Sequence, residues 1–195
     1  MRVKLDTPAA TTALCAAVLA TTALALSVMG QPLWCAGGEP WLWSGNVWSR
    51  HNSQHLFDPY TVSHLSHGIL FALVLRVCCR GRRRYTIGLV VATVLEAAWE
   101  VGENTDVVIR RYRETTMSLD YFGDSVANSL GDVLATMAGY MAVASLSTRT
   151  ALIAFAVLEV TLALWIRDGL VLNVLMLMAP IEAIKRWQLG ALRAS

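Results

Sequence analysis

The chain has 195 residues, of which 55% are hydrophobic and only 15% charged, and its mean hydropathy is +0.49. Soluble domains carry about 25% charge, so this composition argues against an ordinary water-soluble enzyme, and against a disordered chain, which needs low hydrophobicity. The formal net charge of +2 is too small for a nucleic-acid footprint.

The first element is an uncharged run rich in Ala, Leu and Thr over residues 8–30, preceded by Arg2 and Lys4. It exceeds the ~7–15 apolar residues of a signal peptide, and no convincing cleavage site follows. It therefore reads as an uncleaved first span, with cleavage the alternative. Apolar runs over residues 61–79, 86–103, 124–146 and 150–166 predict four more spans. A sixth, residues 170–184, would cover roughly 22 Å as a helix, short of the ~30 Å hydrocarbon core. It would thin the bilayer, re-enter it, or span with help from flanking residues.

Lys and Arg of short loops mark the cytoplasmic side. Arg2 and Lys4, then Arg76, Arg80, Arg82, Arg83 and Arg84, then Arg149, then Lys185, Arg186 and Arg193 all fall on one side of a six-span chain. The prediction is an all-α polytopic transmembrane bundle in a bacterial cell (inner) membrane. It is a single domain over residues 1–195 with both termini cytoplasmic. Outer segments then run over residues 31–60 and 104–123, and Arg110, Arg111 and Arg113 are the exception to the charge rule.

Four of the seven Trp, at 34, 41, 43 and 48, lie in the first outer segment. They read as an interfacial belt or, more sharply, as a stacking platform for a ligand. The cysteines at 15, 35, 78 and 79 show neither a disulfide framework nor zinc-type spacing, and read as small apolar fillers.

Ionisable residues inside a membrane are costly and mark function. Here they form three groups. His64 and His67 share a helix face in the second span, and all four histidines of the chain fall within residues 51–67. Glu96, Glu100 and Glu103 form one stripe on the third span, beside Trp99. Asp124, Asn128 and Asp132 repeat every four residues on the fourth. Helical rise sets His64 and His67 about 4–9 Å below the outer edge, Glu96 and Glu100 roughly 4–10 Å, and Asn128 and Asp132 about 6–12 Å. Three segments thus deliver polar side chains to one layer. Packing histidines, an ion-pair network of the glutamates with Arg110 or Arg113, and Asp124 as a helix N-cap are the structural alternatives. Glu159 is a separate acid or a partner for this centre, and Asn173 reads as helix packing.

Three motifs carry a resemblance: the run from His55 to Gly68, Glu96-Ala-Ala-Trp-Glu-Val-Gly-Glu-Asn104, and the stretch from Tyr112 through Asp120 to Asp132. Together they resemble an uncharacterised family of small multi-pass bacterial membrane proteins, a domain of unknown function. The resemblance implies a cell-membrane location and supplies no activity, cofactor or catalytic residue. A shorter similarity, an Asp with Asn and Gly on a late helix, to small membrane proteins linked to glycopeptide resistance transfers no function.

The functional expectation is an outward-facing His/Glu/Asp pocket of a membrane enzyme acting on a lipid or lipid-linked substrate. His64, His67, Glu96, Glu100 and Asp132 are its candidate catalytic residues. A divalent metal on His64, His67, Glu100 and Asp132 would acidify a water or polarise a phosphoryl or acyl oxygen. Arg110, Arg111 and Arg113 would hold a headgroup, with Asn128 and Trp99 also facing substrate. A proton- or ion-coupled carrier and a non-catalytic membrane subunit remain open alternatives. Membrane lipid is the expected partner, with a homo-oligomer or a second membrane protein compatible with the bundle.

Overall fold

The computed structural model describes residues 7–190, and the Arg2, Lys4 and Arg193 expectations lie outside that range. The described chain is all-helical, with one isolated bridge between Trp43 and Phe57 and no strand among the described residues. Helix α1 spans Pro8–Val28; Thr7 caps it by accepting from the Ala10 N–H, and Pro8 sits at its first turn. An irregular segment, 29–58, leads to α2, Pro59–Leu75. Asp58 starts α2 with a capping box: its carboxylate accepts from the Tyr60 and Thr61 N–H groups, and the Thr61 hydroxyl accepts from the Asp58 N–H. After a short turn come α3 (Ile87–Glu103) and the ten-residue α4 (Asp106–Thr115). Ser125 and Ser147 cap α5 (Val126–Ala144) and α6 (Thr148–Trp165). Asp124, expected as a cap, instead accepts from the Asn104 side chain and the Tyr121 hydroxyl.

Helix α2 packs against α5 and α6, and α3 packs against α1 and α5. Glycines make the α2–α5 contact close. A Cβ on Gly68 would lie 2.0 Å from the Thr136 carbonyl oxygen, and one on Gly139 2.2 Å from that of Leu65. The apolar core, including Cys15, Ile69, Ala72, Leu89, Tyr140 and Val143, fills the half of the bundle toward Arg76 and Arg84. There the two arginines donate to the Val143 and Ala144 carbonyls, the end of α5 where cations are favoured. The polar layer occupies the opposite half, under α4.

Helices α1 and α6 are long and apolar enough to cross a membrane by length and composition, and α2 is a shorter apolar helix. The sixth expected span is not one helix. It breaks into α7 (Leu170–Met178) and α8 (Glu182–Leu189), because Pro180 can donate no backbone hydrogen bond and disfavours helix at the residue before it. The two form a hairpin at the α4 end: Arg111 donates to the Leu177 carbonyl, Lys185 to that of Glu114, and Gln188 to Asp168. Lys185 and Arg186 therefore lie at the end opposite Arg76 and Arg84.

Candidate metal centre

Three helices build the polar layer. His64 and His67 come from α2, Glu96 and Glu100 from α3, and Asp132 from α5. All but His67, which is half-buried, are buried; Glu96, Glu100 and Asp132 are 0%, 1% and 3% exposed. The register follows from period: residues three or four apart share one helix face, and the glycine contacts bring α2 close to α5.

Glu96 is the hub. It accepts from Nδ1 of His64 at 2.5 Å and from Nδ1 of His67 at 2.8 Å. A carboxylate only accepts, so each imidazole carries a proton on Nδ1, which leaves Nε2 as the nitrogen able to face a metal. The His64 Nε2 stands 3.8 Å from Oδ2 of Asp132, and its Nδ1 stands 3.5 Å from Oε1 of Glu100. Oε1 of Glu100 and Oδ1 of Asp132 are buried with no hydrogen-bond partner. Buried carboxylate oxygens are normally paired, and a cation or a proton would satisfy these two. Donor atoms of His64, Glu100 and Asp132 lie within 4.8 Å of one another, as do those of His64, His67 and Glu96. Either set can hold a metal ion.

The site opens into a cavity of about 50 Å³ whose lining includes Tyr60, His67, Trp99, Tyr112, Tyr121 and Asp124. A water needs roughly 10–15 Å³ by this measure, so a few waters or a small group fit. Leu170, Asn173 and Val174 of α7 close one wall. Trp99 meets the His67 ring edge-on, with centroids 6.3 Å apart. Beside the mouth, burial pushes the Tyr121 phenol well above its usual range, with the Asp124 and Glu103 carboxylates adding to the shift. Tyr121 therefore stays protonated and donates to Asp124 at 2.9 Å. Burial likewise raises the Tyr112 phenol; it donates to Asn173 at 3.0 Å.

The structure thus gathers His64, His67, Glu96, Glu100 and Asp132, and Trp99 beside them. It does not gather the rest. Asn128 donates to the His55 carbonyl at 2.9 Å, bracing the preceding segment. Arg110 is exposed, Arg111 serves the end of α7, and Arg113 donates to the Tyr121 carbonyl. Among the described residues no arginine pairs with Glu96 or Glu100. Glu159 accepts from the Val171 N–H at the start of α7, away from the centre. The cavity tyrosines went unread in the sequence. Tyr60, one helical turn before His64, carries the i,i+4 signal that would have found it, whereas Tyr112 sits on α4 and Tyr121 on the irregular stretch before α5, neither in register with the His, Glu and Asp stripes.

Residues 26–190 match the family model described as protein of unknown function (DUF2585). The UPF0314 protein of Rhizobium meliloti is 46% identical over 90% of this chain and 89% of its own length. Those of Paracoccus denitrificans and Sphingopyxis alaskensis are 44% and 45% identical, covering 88% and 90% of this chain and 88% and 93% of the relatives. No solved structure matches the chain.

Proposed function

Because the chain belongs to the DUF2585 family of proteins of unknown function, its activity has to be inferred from its site, and we propose a metal-dependent membrane enzyme that cleaves a lipid or lipid-linked substrate. The observation that carries this reading is the pair of buried carboxylates, Glu100 and Asp132, each with one unpartnered oxygen and each with a donor atom within 4.8 Å of His64.

In this reading His64 Nε2, Glu100 and Asp132 hold one divalent ion. Glu96 orients His64 through Nδ1, as carboxylates behind metal-binding histidines do. The ion would supply an acidified water and polarise a phosphoryl or acyl oxygen. His67, anchored at Nδ1 by Glu96, is the residue that would take a proton from such a water at Nε2, and Glu96 would stabilise the imidazolium so formed. Trp99 limits rotation of the His67 ring. Leu170 and Val174 offer the apolar wall that a lipid chain would lie against.

Membrane insertion is supported by α6, whose Leu152, Ile153, Val157, Val160 and Leu164 are exposed, and by α1. We read α1, α2, α3, α5 and α6 as crossing helices. The 17-residue α2 and α3 rise about 26 Å, a mismatch a bilayer accommodates. With Arg76, Arg80, Arg83, Arg84 and Arg149 at the cytoplasmic end, α4, α7 and α8 lie at the outer face. There α8 and its N-cap present Trp187 and Ile181 as an interfacial helix would.

The test is turnover of a bacterial polar lipid extract by zinc- or manganese-loaded protein in detergent, read by mass spectrometry. A product formed by the wild type and lost in Asp132→Asn and after chelation supports the enzyme. The hydrogen-bonded chain from His64 through Glu96 to His67 favours a second reading, a proton relay. That reading predicts no product, and metal-independent proton uptake abolished by Glu96→Gln.

A further inference from the structure

The irregular segment before α2 holds a second set of donors that the proposed reaction does not use. We propose that Cys35, His51 and His55 form a separate metal site, one that takes a single zinc-class ion and clasps this segment closed.

The spacing fits. The Cys35 sulfur lies 3.4 Å from Nδ1 of His51, and that nitrogen lies 3.4 Å from Nε2 of His55. Around a tetrahedral zinc, with Zn–N about 2.0–2.1 Å and Zn–S about 2.3 Å, neighbouring donors stand about 3.3–3.6 Å apart. The three donors need little movement to close on one ion.

The tautomer fits as well. Nδ1 of His55 is 2.6 Å from the Trp41 carbonyl oxygen. A carbonyl cannot donate, so Nδ1 holds a proton and Nε2 is the nitrogen that faces His51. A backbone carbonyl behind one nitrogen and a metal before the other is the usual setting of a ligating histidine. His55 is fully buried, between Trp34 and Trp41 at ring-centroid distances of 5.9 Å each.

A fourth donor stands by. Oε2 of Glu39 accepts from the Cys35 thiol at 3.3 Å, while Oε1 is held by Arg50 at 3.1 Å. A Cβ on Gly37 would lie 2.0 Å from that Oε2, so the glycine makes room for the carboxylate against the sulfur. On binding, a sulfur–metal bond replaces the S–H bond and the proton leaves to Glu39 or solvent. The other thiols are elsewhere: Cys15 pairs with Thr93 in the core, and Cys78 and Cys79 follow α2 at the far end.

The clasp has leverage on the bundle. The His55 carbonyl accepts from Asn128 of α5, the Gln54 carbonyl from the Ser125 hydroxyl, and the Ser53 carbonyl from the Ser125 N–H. An ion on Cys35, His51 and His55 therefore cross-links residues 35–55 at the point where the segment is hydrogen-bonded to the start of α5, His55 lying three residues before the Asp58 cap of α2.

The test is Co²⁺ titration of the purified full chain. Only a thiolate ligand produces a near-ultraviolet sulfur-to-cobalt charge-transfer band, and the His64 centre contains no sulfur. We expect one equivalent of this band, bleached by added Zn²⁺. It should be unchanged in His64→Ala/Glu100→Ala and in Cys78→Ser/Cys79→Ser, and absent in Cys35→Ser. His55→Asn, which keeps the thiol, should weaken cobalt affinity by more than tenfold. No band in the wild type, or a band that survives Cys35→Ser, overturns the assignment whatever the fate of the His64 centre.

Discussion

Gly68 offers the sharpest test of how the fold positions the site. An Ala there would put its Cβ 2.0 Å from the Thr136 carbonyl oxygen and 2.6 Å from the Tyr140 nitrogen, both backbone atoms of α5. Real Cβ contacts do not fall below 3.0 Å, so α2 and α5 must part by about 1 Å. That also strains the 2.9 Å bond from the Thr136 hydroxyl to the His64 carbonyl. Overpacking costs about 1–3 kcal/mol, and with rigid backbone on both sides the upper end applies. For a chain of this size that is roughly 6–12 °C in Tm. The shift also moves His64 on α2 away from Asp132 on α5, in a site that tolerates only about 0.5 Å, so metal affinity at the His64 centre falls as well. The control is Gly102→Ala, where nothing lies within 4 Å of the new Cβ and the helix gains about 0.5–1 kcal/mol. Thermal melts in detergent and metal titration read both. A Gly68→Ala protein that melts with the wild type and binds metal equally would refute the reasoning.

Asp168, in the turn between α6 and α7, gives a pH dependence. Burial raises its pKa to about 6, against 3.8 ordinarily, so the folded state holds a proton that the unfolded state has lost between those values. Stability from this group is present below about pH 4 and falls as pH rises to about 6, by roughly 3 kcal/mol in all. Asp168→Asn, which keeps acceptors for Gly169 and Gln188, should flatten that slope in melts taken across the range. A variant as pH-sensitive as the wild type would rule Asp168 out as its source. Asp58→Ala removes three hydrogen bonds, to the Ser53, Tyr60 and Thr61 N–H groups, and should cost about 2 kcal/mol or more in chemical denaturation. Tyr140→Phe leaves the Arg84 carbonyl without its 2.9 Å donor and should cost about 1 kcal/mol with metal binding unchanged.

The reach of the sequence can be judged residue by residue. His64, His67, Glu96, Glu100 and Asp132 were legible because charge is rare in apolar helices and helical rise places each at a similar depth. Period and span edges gave their common depth, but that α2, α3 and α5 are neighbours came only from the packing. The α7–α8 break was written in Pro180, but an apolar run on both sides outweighed one residue in the reading. Cys35, His51 and His55 were opaque for a different reason: an irregular segment has no period, so sequence distance says nothing about which side chains meet. Arg111 and Asn128 misled because surface-like and stripe-like patterns do not reveal that a side chain is already engaged, here by the Leu177 and His55 carbonyls.

The central claim is that His64, Glu100 and Asp132 hold a metal ion. The direct measurement is metal content per chain of detergent-purified protein, wild type beside His64→Ala/Glu100→Ala, with both shown to be folded by circular dichroism. The account predicts that the variant holds one ion fewer than the wild type, the ion on Cys35, His51 and His55 remaining. Equal metal content in two folded proteins would contradict it.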